Sequence, residues 1–196
     1  MSRSLTLADI ADLRAYERER DEFRSQVIEL KKRRRIAIGP HITVLFENRE
    51  TIRFQIQEMA RVEKLFTDEA ISNELRAYNP LIPEPGHLSA TMFVELTSDE
   101  LLREWLPKLV GVQRSVEIRV AGSAPIACVP EAEHESFLTR DDITSSVHYV
   151  AWSLTDDQID SLEADGGSVA VDHPNYAHET AFTAENIREL LRDLRS

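Results

Sequence analysis

The hydrophobic pattern changes period several times along this chain, and the changes mark its elements. The clearest switch lies in 39–63. Ile42, Val44 and Phe46 alternate with Thr43, Leu45 and Glu47 at the two-residue period of a strand. Both faces are apolar until Glu47, which predicts a strand covered on both sides. From about residue 50 the spacing becomes helical: at about 100° per residue, Ile52, Ile56, Met59, Ala60, Val62 and Phe66 share one face. Arg53, Gln57, Arg61 and Lys64 gather opposite, as a solvent ridge would. Glu63 falls inside the apolar arc, Gln55 between Val62 and Phe66, and Glu58 at its flank. A buried carboxylate is costly unless paired, hydrogen-bonded or metal-bound, so each needs a partner.

Elsewhere, residues 6–9 (TLAD) fit a capping box opening a short helix, and Tyr16, Phe23, Val27 and Leu30 carry a second. Residues 35–38 form a strand parted from 42–47 by Gly39-Pro40. A helix over 68–78 stops at Asn79-Pro80, and the three prolines of 80–86 make a rigid connection. A strand over 88–96 leads to a helix capped at Thr97 and kinked or ended at Pro107. Residues 115–120 and 124–129 read as a hairpin, 131–136 as an acidic loop and 146–154 as a long strand. A helix over 155–163 precedes a strand over 168–172, and Thr183 opens a last helix with Ile187, Leu190, Leu191 and Leu194 inward. Without regular βαβ alternation, this order predicts an α+β fold: a largely antiparallel sheet packed with several helices, the N-terminal part α-rich. One domain over 1–196 is expected, with an α-rich part (1–79) and a β-rich part (87–196) on either side of 80–86.

Composition narrows the function classes. With 35 Asp and Glu against 23 Lys and Arg, the net charge is −12, which disfavours binding to a nucleic-acid backbone. The exception is KKRRR at 31–35. It reads either as a helix C-terminus favoured by the dipole or as an anion or partner patch. The single cysteine, Cys128, rules out an internal disulfide and reads as an inert core thiol. No apolar run approaches the ~18 residues of a membrane span, and the first residues do not resemble a signal peptide. A cytoplasmic protein without membrane association is expected.

Standard catalytic signatures are missing from the sequence: no Walker loop, dinucleotide glycine pattern, HExxH, GxSxG or CxxC. The chemistry that remains is diffuse. Glu47, Glu58, Glu63, Glu95, His148 and His173 supply the carboxylate and imidazole set that suits iron, manganese or zinc. The same groups could hold an organic ligand or perform acid–base work. The structural alternative is a set of buried ion pairs, Glu47 with Arg49 or Arg53 and Glu58 or Glu63 with arginines of the first helices. His41, Arg49, Gln55, Asp172 and Tyr176 complete the candidate polar core, the last two in the turn DHPNYAHE at 172–179.

These same residues carry a resemblance. Gly39-Pro40-His41, Leu45-Phe46-Glu47-Asn48-Arg49, Gln55-Ile56-Gln57-Glu58-Met59 with Arg61 and Glu63, and Glu74-Leu75 with Tyr78-Asn79 form its first half. Leu88-Ser89-Ala90-Thr91 with Phe93 and Glu95, and Asp172-His173-Pro174 with Tyr176, form its second. On these motifs the chain resembles the bacterial family known as domain of unknown function 3501. The resemblance implies neighbours among rubrerythrin-like di-iron proteins and iron–sulfur proteins, hence an accessory or binding role in redox or peroxide metabolism. Cys128 is no part of that pattern. A metal- or small-ligand-dependent enzyme, with its site between helix 50–66 and the sheet, is the alternative reading, and a structural homodimer the third.

Overall fold

A computed structural model gives the fold and describes residues 3–132 and 142–195. Helix α1 (Leu13–Arg34), capped by the Asp12 carboxylate, runs directly into β1 (Arg35–Ile38). After the turn at Gly39 come β2 (Ile42–Phe46), α2 (Arg49–Glu63), α3 (Asp68–Tyr78) and β3 (His87–Val94). Helix α4 (Asp99–Lys108) leads to β4 (Val116–Val120), β5 (Ile126–Ala127), β6 (Val129–Pro130) and β7 (Val147–Ser153). The chain closes with α5 (Asp156–Asp165), β8 (Gly167–His173), β9 (Tyr176–Ala181) and α6 (Ala184–Arg195). Of the acidic stretch expected at 131–136, residues 133–136 lie outside the described residues.

The strands form two antiparallel sheets, in the orders β1-β2-β3-β7-β6 and β5-β4-β8-β9. The first sheet has two different faces. Ile36, Val44, Met92 and His148 line up across it, and this face packs with Val116, Ile118, Val169 and Val171 of the second sheet into the larger core. Leu45, Thr91 and Tyr149 line up on the opposite face, towards a smaller core formed by Ile52, Ile56, Leu75, Leu81 and Ile82. The α+β class and antiparallel pairing are as the sequence pattern predicts. Because β2 pairs with β3, the connection at 80–86 is no boundary between sheets.

Three local expectations change. Ser98, not Thr97, caps α4. The short second strand of the expected 124–129 hairpin divides, β5 pairing with β4 and β6 with β7 in the other sheet. Most of the turn expected at 172–179 belongs to a hairpin, its second half opening β9 (Tyr176–Ala181), an edge strand that is largely exposed and therefore carried little apolar signal.

The basic run at 31–35 is divided among five environments. Lys31 lies over the Phe54 ring, Lys32 pairs with Glu29 and Arg33 with Glu189. Arg35 covers Phe93 and reaches Glu95. Arg34, only 1% exposed, donates to the carbonyls of Phe46 and Glu47 and pairs with Asp193. The helix-end reading of this run therefore describes it better than a surface patch does.

Candidate functional site

Glu47 directly follows β2 and continues the alternation of Thr43 and Leu45, so its side chain enters the space beneath α2. It is 6% exposed. Thr91 Oγ1, on the neighbouring strand, donates to one carboxylate oxygen at 2.6 Å. Thr51 Oγ1, in the first turn of α2, donates to the other at 2.5 Å. The start of α2 fixes Thr51 in turn: the Asn48 side chain accepts from Thr51 N, and Thr51 Oγ1 accepts from Asn48 N. Two hydroxyls thus orient this carboxylate. The arginines expected to pair with it are engaged elsewhere, Arg49 with Asp9 and Arg53 with the Asp9 carbonyl and Glu19.

Beside Glu47 lies a cavity of 220 Å³, bounded by α1, α2, α3 and the first sheet. Gln55, Tyr78, Thr91, Phe93 and Tyr149 line it, and so does Lys31 of α1, whose Nζ lies over the Phe54 ring. Burial holds the Lys31 pKa below the usual lysine range, while Glu47 pulls it upward and Arg35 lowers it further. Burial also raises Tyr149 to about 12 and raises Tyr78, whose hydroxyl meets the Gln55 side chain. Both phenols therefore stay protonated near neutrality. Among the described residues, neither Glu47 nor Lys31 belongs to an ion pair. The site can therefore offer a fixed carboxylate, an ammonium and neutral donors within a partly aromatic wall.

The metal set expected from the sequence does not converge. Glu58 accepts from Tyr16 at 2.7 Å and from Arg20 at 2.8 and 2.9 Å, the arginine pairing foreseen as the structural alternative. Glu63 is exposed, and Glu95 binds Thr43 and Arg35 at the surface. His148 Nε2 lies 2.9 Å from Thr144 Oγ1, and His173 Nε2 lies 3.1 Å from the Val110 carbonyl. Only Glu47 of the six reaches the cavity. Among the described residues no group of three or more His, Cys, Asp or Glu is placed to hold a metal ion.

Of the other candidates, Gln55 lines the cavity, Arg49 pairs with Asp9, and Asp172 is exposed. His41 and Tyr176 belong to a ring cluster with Trp105 at the turn before β2. The face assigned to α2 also needs rotation. Val62 and Phe66 are 68% and 78% exposed, whereas Gln57 is fully buried, its amide bonded to the Ala11 backbone. A polar side chain can face inward when a neighbouring backbone satisfies it, and the N-terminal segment and α1 cover that side of α2.

Sequence reasoning named Glu47 and Gln55 but missed Lys31, Tyr78, Thr91 and Tyr149. The available signal was the alternation of β3, which puts Ser89, Thr91 and Phe93 on the face that Glu47 shares. Larger hollows lie among the described residues: 340 Å³ near Leu7, Leu65 and Phe66, and 470 Å³ near Pro85 and Leu194. Neither contains a buried charged group comparable to Glu47, so chemistry favours the smaller cavity over size alone.

The model of the family described as "protein of unknown function (DUF3501)" matches residues 4–194. The crystal structure of a novel protein of unknown function from Burkholderia pseudomallei K96243 is similar at 34% identity and a TM-score of 0.87. That likeness covers 98% of this chain and 100% of the other. No curated protein matches. No helix among the described residues is long and apolar enough to cross a membrane. With nearly its whole length matched, the chain belongs to the DUF3501 family.

Proposed function

We propose that this protein binds a small polar molecule in the cavity beside Glu47 and acts as an accessory protein in the cytoplasm. The observation that carries the reading is a buried carboxylate held by two threonine hydroxyls and opening onto a cavity. A carboxylate retained only for stability is ordinarily closed off by a cation. The volume limits the ligand. At 220 Å³ the cavity lies at the small end of ligand-binding cavities.

The redox or peroxide-metabolism setting, with a rubrerythrin-like or iron–sulfur protein as partner, rests on the family resemblance. Within such a system the chain would serve by binding. Its thiol, Cys128, is buried and donates to the Gln113 carbonyl, and burial raises its pKa to about 11, which suits a packing role.

Thermal-shift measurements with small amino acids, short carboxylates and small amines test the binding reading. At least one compound should raise the Tm of the wild type by several degrees and leave a cavity-filling Gln55→Trp variant unmoved. Shifts that persist in that folded variant, or no shift with any compound, would contradict it. The partner is tested by co-purification with a rubrerythrin-like or an iron–sulfur protein, and failure with both would remove the redox setting.

A further inference from the structure

The two unpaired charges of the cavity specify more than smallness. We infer that the ligand is a small zwitterion, an amino-acid-like molecule whose ammonium meets Glu47 and whose carboxylate meets Lys31. The inference rests on the binding reading above and assigns its chemical class.

Each Glu47 carboxylate oxygen accepts one threonine hydroxyl, which leaves lone pairs for a donor from the cavity. Lys31 is half-buried, its Nζ 5.2 Å from the centre of the Phe54 ring, and it feels Glu47 across the cavity without forming an ion pair with it. Opposite charges lining one cavity would ordinarily close on each other. Here the threonines hold Glu47 on the sheet side, while α1 carries Lys31 on another wall, and among the described residues the two form no ion pair.

A ligand with only a positive charge would satisfy Glu47 but meet repulsion from Lys31. One with only a negative charge would meet the converse. A zwitterion supplies both counter-charges and leaves the net charge of the site unchanged. In a partly dehydrated cavity each such contact is stronger than in water. Gln55 and Tyr78 can add neutral hydrogen bonds, and the Phe93 ring gives an apolar wall for a short carbon chain.

Isothermal titration of the full chain provides the test, with glycine, 4-aminobutyrate, acetate and methylammonium as probes. At least one amino acid should bind at least tenfold more tightly than acetate and methylammonium. Glu47→Gln and Lys31→Gln should each weaken it by tenfold or more. Lys31 is partly exposed and in no ion pair among the described residues, so its variant keeps the test readable if Glu47→Gln fails to fold. Acetate or methylammonium binding as tightly as the amino acids would overturn the zwitterion class while leaving the cavity a binding site. Amino-acid binding unaffected by Lys31→Gln would overturn it equally. No binding of any probe would overturn the zwitterion assignment, and the cavity reading would then stand or fall on the Gln55→Trp comparison.

Discussion

The Tyr176 hydroxyl occupies the space that a side chain at Gly39 would need. It accepts from the backbone N–H groups of His41 at 2.9 Å and Ile42 at 3.2 Å and donates to the Ile38 carbonyl at 2.6 Å. Gly39 has φ +70°, and a Cβ there would lie 2.6 Å from that hydroxyl and 2.5 Å from the His178 ring. Two motifs far apart in sequence, Gly39-Pro40-His41 and Asp172-His173-Pro174 with Tyr176, thus form one clamp between the sheets.

Substitutions at this clamp should reduce stability without altering the cavity. Gly39→Ala combines a left-handed backbone with a direct overlap and should cost about 2 kcal/mol or more. Tyr176→Phe strands a carbonyl and two N–H groups and should cost about 1–3 kcal/mol. Urea unfolding measures both, and wild-type midpoints would show that the clamp is dispensable.

Arg34 should be among the least replaceable residues. Its guanidinium joins the end of α1 to the carbonyls of Phe46 and Glu47 and to Asp193 of α6, with Glu189 at 3.7 Å. Arg34→Met leaves Asp193 without its buried counter-charge and the Phe46 and Glu47 carbonyls without their donor, and should cost about 3–5 kcal/mol. The neighbouring Lys32→Met, at an exposed pair, should change stability by less than about 0.5 kcal/mol. Equal losses at the two positions in chemical denaturation would contradict this division of the basic run.

The contrast within that run shows what was legible in the sequence. Periodicity sufficed for β2 and β3, whose alternating residues face two different cores, and the span of α3 emerged correctly from its apolar spacing. It failed where a polar group is satisfied by distant backbone. Gln57 resembles a solvent residue until the Ala11 backbone is placed against it, and Glu63 resembles a buried one until α1 shifts the covered side of α2. The candidate site was legible at Glu47 and Gln55 because each interrupts an apolar pattern. Lys31, Tyr78 and Tyr149 come from α1, α3 and β7, and only tertiary packing brings them together.

Acid should weaken the fold through two carboxylates of the N-terminal layer. The Thr6 backbone N–H, with Arg49, holds Asp9 at about 2, and hydrogen bonds from Arg20 hold Glu58 below the ordinary glutamate range. Both folded pKa values lie below their unfolded values of about 3.9 and 4.3, so the unfolded chain binds more protons in this window. Their stabilisation is complete above about pH 5 and is lost as pH falls towards 2. Urea midpoints between pH 7 and pH 2.5 should fall less steeply for Glu58→Gln than for wild type. Parallel pH dependences would contradict a stabilising role for the Glu58–Arg20 pair.

The most direct measurement of the central claim is amide chemical-shift mapping of the labelled wild-type chain during titration with 4-aminobutyrate and glycine. The account predicts saturable shifts at Lys31, Glu47, Thr51, Gln55, Thr91 and Tyr149, which belong to four different elements and the β2–α2 junction. Shifts confined to the hollow around Leu65 and Phe66, or no saturable shifts with either probe, would contradict a zwitterion site beside Glu47.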